Sequence, residues 1–91
     1  MKDLKIERNT QTGGICAYFK YNHNFYWADL SYIEFEGFSE CMIFQADKNG
    51  DILSWLELYI KRDIPITDEA LIECIEEFCK GEEKEQEYDT K

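Results

Sequence analysis

The hydrophobic period of this chain changes once, at Pro65, its only proline. Before it, apolar and aromatic residues fall in short, largely alternating runs separated by turn formers, the pattern of strands. After it, Ala70, Leu71, Cys74, Ile75 and Phe78 recur at helical spacing. Strands first and one helix last predict an α+β fold: a small antiparallel sheet of four to five strands covered by one C-terminal amphipathic α-helix. Ninety-one residues suffice for one core, since domains run from about 50 to 250 residues. Residues 1–81 are therefore expected to form a single domain and residues 82–91, which hold one aromatic and no aliphatic residue, an acidic disordered tail.

Within the strand region, Leu4 to Glu7 alternates, Asn9 to Gly14 is a run of turn formers, and Ile15 to Tyr21 has the β-branched and aromatic content of a strand. Asn22-His23-Asn24 is a compact polar turn. The aromatic strand that follows from Phe25 is expected to bulge near Asp29 to Ser31 and so to split in two. Cys41 to Ala46 and Ile52 to Ile60 flank Asn49-Gly50, the strongest short signal for a type I′ hairpin. In the second arm Ile52, Leu56, Leu58 and Ile60 are expected to face the core, leaving Leu53, Trp55, Glu57, Tyr59 and Lys61 on a half-wet aromatic surface. Asp47 to Asp51 superficially matches a calcium loop, but the glycine precedes the second acid and the flanks alternate as strands, so the hairpin is preferred.

The helix should start at Thr67 as N-cap, with Asp68 and Glu69 in the first turn and Ile66 and Leu71 as a hydrophobic staple, and end at Lys80-Gly81. Glu69, Glu73, Glu76 and Glu77 fall on the side away from its apolar stripe.

Charge narrows the partners. Twenty acids against ten bases give a formal net charge of -10, which repels nucleic-acid phosphates and anionic membranes and favours basic proteins. Residues 68–91 alone hold ten acids and three bases, a net of -7. Lys20 is the only cation between Arg8 and Lys48, so the aromatics there lack the basic groove that direct nucleic-acid binding needs. No uncharged apolar stretch approaches the length of a membrane span, and Met1 to Arg8 lacks an apolar signal core. A cytoplasmic setting is therefore expected, in which Cys16, Cys41, Cys74 and Cys79 stay free thiols.

The cysteines and His23 are too scattered for a zinc site, so no metal and no cofactor are expected. His23 as a base for Cys16, oriented by Asp29, is the one nucleophilic arrangement worth weighing, and no catalytic motif supports it. Ten of the fourteen aromatics lie between Tyr18 and Phe44 on both strand phases, so they cannot all face one core. The remainder suit a protein interface, where Tyr, Trp and Phe are enriched.

Small size, strong acidity and aromatic strands without catalytic motifs resemble, in composition, the inhibitors of phages and mobile elements: anti-CRISPR proteins, other nucleic-acid mimics and immunity proteins. That resemblance implies a non-enzymatic binding protein that occludes a basic surface of a larger protein. Glu69, Glu73, Glu76 and Glu77 would attract it, while Trp27, Trp55 and Tyr59 would make the contact. The alternative is a homo-oligomeric accessory domain, such as a homodimer, packed through its aromatic sheet face; a small Cys/His enzyme comes third.

Overall fold

The computed structural model describes residues 4–11 and 13–89, with residues 82–89 described as backbone only. Five strands precede one helix: β1 (Lys5–Arg8), β2 (Ile15–Tyr21), β3 (Asn24–Ile33), β4 (Phe38–Ala46), β5 (Tyr59–Arg62) and α1 (Asp68–Asp89). The strands form one antiparallel sheet in sequence order, each hydrogen-bonded to its neighbour along the chain. The α+β architecture expected from the change of period at Pro65 is the one observed.

β3 runs unbroken through ten residues, paired with β2 over Ile15 to Tyr21 and with β4 over Phe38 to Ala46. The expected bulge at Asp29 to Ser31 is absent. Phe25, Trp27, Asp29, Ser31 and Ile33 share one phase without interruption, on the face away from the helix.

The turns exchange roles. Asn22 and His23 both take positive φ, 52° and 67°, forming the two-residue type I′ connection between β2 and β3. At the other hairpin only Gly50 does, at +87°, so the expected type I′ turn at Asn49-Gly50 is not formed. The Asp47 carboxylate explains this: Oδ1 accepts hydrogen bonds from the Asn49 and Asp51 amides at 2.9 and 3.0 Å, drawing the chain into a tight turn closed by the Gly50 amide on the Asp47 carbonyl.

Past one bridge from Ala46 to Ile52, residues 53–58 leave the sheet, and the chain re-enters where the Leu58 amide donates to the Ile43 carbonyl. Register then pairs Ile43 with Tyr59 and Cys41 with Lys61, which puts Tyr59 and Lys61 on the helix side and Ile60 on the opposite face. This inverts the faces expected from continuous alternation after Ile52, because the length of the excursion resets the phase.

Helix α1 covers one face. Ile15, Ala17, Phe19, Tyr26, Ala28, Leu30, Cys41 and Ile43 from the strands bury against Leu71, Cys74, Ile75, Phe78 and Cys79. Phe78 sits edge-on to Phe19, Tyr26 and Tyr59, with centroids 5.0 to 6.3 Å away. Each such large side chain contributes about 1.5–3 kcal/mol by leaving water.

Thr67 caps the helix as expected: its Oγ1 accepts from the Ala70 amide at 3.1 Å, and Ile66 and Leu71 both join the core cluster. Ser39 Oγ bonds to both the carbonyl and the amide of Ile64, holding the entry to the helix on β4. The helical backbone continues through Gly81, whose φ is not positive, rather than stopping there. The side chains of the expected disordered tail, 82–91, lie outside the described residues.

Candidate functional site

Among the described residues no helix or further strand covers the sheet face opposite α1. Cross-strand register sets out two adjacent rows on it. One is aromatic: Lys5, Tyr18, Trp27 and Phe44. The next holds Glu7, Cys16, Asp29, Met42 and Ile60.

The excursion between β4 and β5 folds back over the aromatic row. Trp27 donates its indole Nε1–H to the Gly50 carbonyl at 2.7 Å, and the Tyr18 hydroxyl donates to the Asp47 carbonyl at 2.6 Å. Trp55, 75% exposed, meets Phe44 edge-on with centroids 5.7 Å apart. Tyr18 packs on Trp27 at 5.3 Å and stacks on Phe25 at 5.9 Å, and Lys20 Nζ stands 5.5 Å over the Phe25 ring.

Together these elements border an open cleft of about 440 Å³ lined by Trp27, Phe44, Trp55, Asp29 and Cys16 among others. Two acids sit in the sheet on this face away from the edge strands, and their situations differ. Glu40 is paired with Arg62, Nε to Oε1 at 2.8 Å. Asp29 has no hydrogen-bond or ion-pair partner among the described residues, and its oxygens stay open to the cleft. Burial raises the Asp29 carboxyl above its ordinary value. Burial, and then the charges of Asp29 and Glu7, raise the Cys16 thiol, which is thus kept protonated and poorly nucleophilic at neutral pH.

The residues singled out from the sequence divide. Trp27 and Trp55 line the cleft together. Tyr59 does not join them: it lies on the helix side, where its hydroxyl donates to Glu77 Oε2 at 2.5 Å. Lys61 Nζ donates to both Glu77 oxygens, at 2.9 and 3.1 Å. The Tyr59 bond and then Lys61 hold the Glu77 carboxyl below its ordinary value. Glu77 is thus a strut between α1 and β5 and not part of a free acidic face, which leaves Glu69, Glu73 and Glu76 exposed.

His23 lies at the β2–β3 turn, seven residues along the strand from Cys16 and six from Asp29, roughly 20 Å from each at the rise of a strand. The weighed Cys16–His23 arrangement is therefore not assembled. Among the described residues no three His, Cys, Asp or Glu side chains cluster as metal ligands, and no helix is long and apolar enough to cross a membrane.

In the sequence Asp29 is weighed only as an orienting partner for His23, not as a binding residue of the open face. The available signal was a single acid at an odd position in a strand whose other odd positions are Phe25, Trp27, Ser31 and Ile33. No family model, curated protein or solved structure matches this chain.

Proposed function

We propose that this protein is a non-enzymatic, acidic binding module that occludes a basic surface of a larger protein, docking through the open sheet face. One observation carries this assignment: Trp55 stands 75% exposed over Phe44 beside the Trp27 cleft, with Leu53, Leu56, Leu58 and Ile60 exposed on the excursion and edge strand. Contiguous apolar surface of this kind on a small protein marks an interaction site. Glu69, Glu73 and Glu76 project from the helix on the other side of the sheet and act at longer range, drawing a cationic partner rather than touching it. Inhibition would be steric, in the manner of the counter-defence proteins whose composition this chain resembles. No disulfide joins Cys16, Cys41, Cys74 or Cys79 among the described residues, which fits the cytoplasmic setting proposed here.

A homodimer through the same face is the second reading. The net charge of -10 on each copy opposes it and favours a basic partner. Light scattering and affinity capture from the native host test the assignment. The expected result is a monomer that captures a basic protein, with capture lost in Trp55→Ala and weakened at high salt. A dimer dissociated by Trp55→Ala, or capture indifferent to both salt and Trp55, would overturn it.

A further inference from the structure

We infer that the cleft over Asp29 receives a guanidinium group, the side chain of an arginine on the basic partner surface. This rests on the assignment above and names the chemistry by which the open face recognises its target.

Charge comes first. A half-buried carboxylate is costly to leave unpaired, and elsewhere the fold satisfies such groups: Glu40 with Arg62, Glu77 with Lys61, Asp68 with Arg8. Those three cations are committed, and Asp29 lines the cleft with no such partner among the described residues. An anionic ligand would meet Asp29 with Glu7 in the same row, and a neutral one would bury the carboxylate further without pairing it. A cation alone lowers the cost.

The walls then choose among cations. Two indoles and Phe44 line the site, and indole faces are the strongest aromatic partners for a cation. Guanidinium is planar and weakly hydrated. It stacks on such rings while its fork bonds a carboxylate through two parallel N–H groups. Ammonium is a compact, strongly hydrated charge that would surrender more water to enter an apolar cleft. At about 440 Å³ the cleft admits a side chain and not a folded element.

Both tryptophans of the chain line this cleft, so their fluorescence reports its occupancy directly. The experiment titrates the full-length protein with N-acetyl-arginine methylamide, N-acetyl-lysine methylamide, ethylguanidinium and its uncharged isostere N-ethylurea. Calorimetry serves as the second readout. The two guanidinium compounds should give a saturable change in the millimolar range, the lysine compound binding several-fold more weakly and the urea giving none. Asp29→Asn should weaken arginine binding at least tenfold while near-UV circular dichroism stays native. Trp55→Ala, at a position 75% exposed, should also weaken it. No saturable response to either guanidinium compound, an equal response to ethylurea or to lysine, or unchanged binding by a folded Asp29→Asn protein would each overturn the inference. Partner capture that survives any of these outcomes leaves the binding-module assignment standing and removes only the arginine site. Arginine binding without any captured partner does the reverse.

Discussion

The Tyr59 hydroxyl donates to the Glu77 carboxylate across 2.5 Å and closes the seam between the edge strand and the helix. Lys61 reaches the same carboxylate from the next helix-facing position of β5, so one acid ties two strand residues to α1. Tyr59→Phe keeps the ring against Phe78 and removes only the hydroxyl, and it should cost about 1 kcal/mol of unfolding free energy. In a Glu77→Gln background the same change should cost less, and a double-mutant cycle by urea denaturation measures the difference.

Asp29 and Glu77 should give opposite pH signatures. Burial raises the Asp29 carboxyl, so the folded state holds its proton more tightly than the unfolded chain, and stability is lost as pH rises through that interval. Cys16 is the titratable group directly beside Asp29 in its row. Asp29→Asn should therefore raise the urea midpoint at pH 7, with the advantage shrinking near pH 4, about the ordinary aspartate value. Glu77 is held below its ordinary value, so its contribution is present at neutral pH and disappears as pH falls through its folded pKa. Glu77→Gln should lose stability at pH 7 and approach the wild type in acid.

Reversal of Glu69, Glu73 and Glu76 to Lys, leaving Glu77 in place, should keep the fold and slow association with a basic partner at low salt. At about 1 M salt, where the screening length falls to roughly 3 Å, the difference from wild type should vanish. Stopped-flow association rates across a salt series test this. Trp55→Ala should instead act on the dissociation rate.

Gly50 takes φ +87° while its carbonyl anchors the Trp27 indole. A Cβ there would meet Trp27 and Tyr18 only at ordinary contact distance, 4.0 Å. Gly50→Ala should then cost about 1–2 kcal/mol, the backbone term for a left-handed residue, without displacing the ring. Thermal unfolding followed by tryptophan emission should show a lower midpoint and an unchanged native spectrum.

Local chemistry made much of this architecture legible in the sequence. Thr67, Ile66 and Leu71 announce the helix start because cap and staple involve residues within a single turn, and β2 runs over the residues its composition indicates. The phase of β5 was not legible: it depends on how many residues leave the sheet between Ile52 and Leu58, which no periodicity within the strand encodes. The same shift moved Tyr59 from the expected contact surface to the helix. Trp27 and Trp55 were identifiable as surplus aromatics. Asp29 was not, because what marks it out is the lack of a partner among the described residues, and that emerges only once Arg62, Lys61 and Arg8 are seen bonded elsewhere.

Every strand of the sheet pairs with the strand before it in sequence, so the sheet can zip up hairpin by hairpin as the chain leaves the ribosome, with no crossover to wait for. The helix that covers one face is synthesised after the last strand. Until it emerges, Ile15, Phe19, Leu30 and Ile43 stand as bare as the face that remains open afterwards. Ribosome-bound nascent chains halted before Leu71 would thus present apolar surface on both sides of the sheet, and that interval is when the protein most needs a holding chaperone.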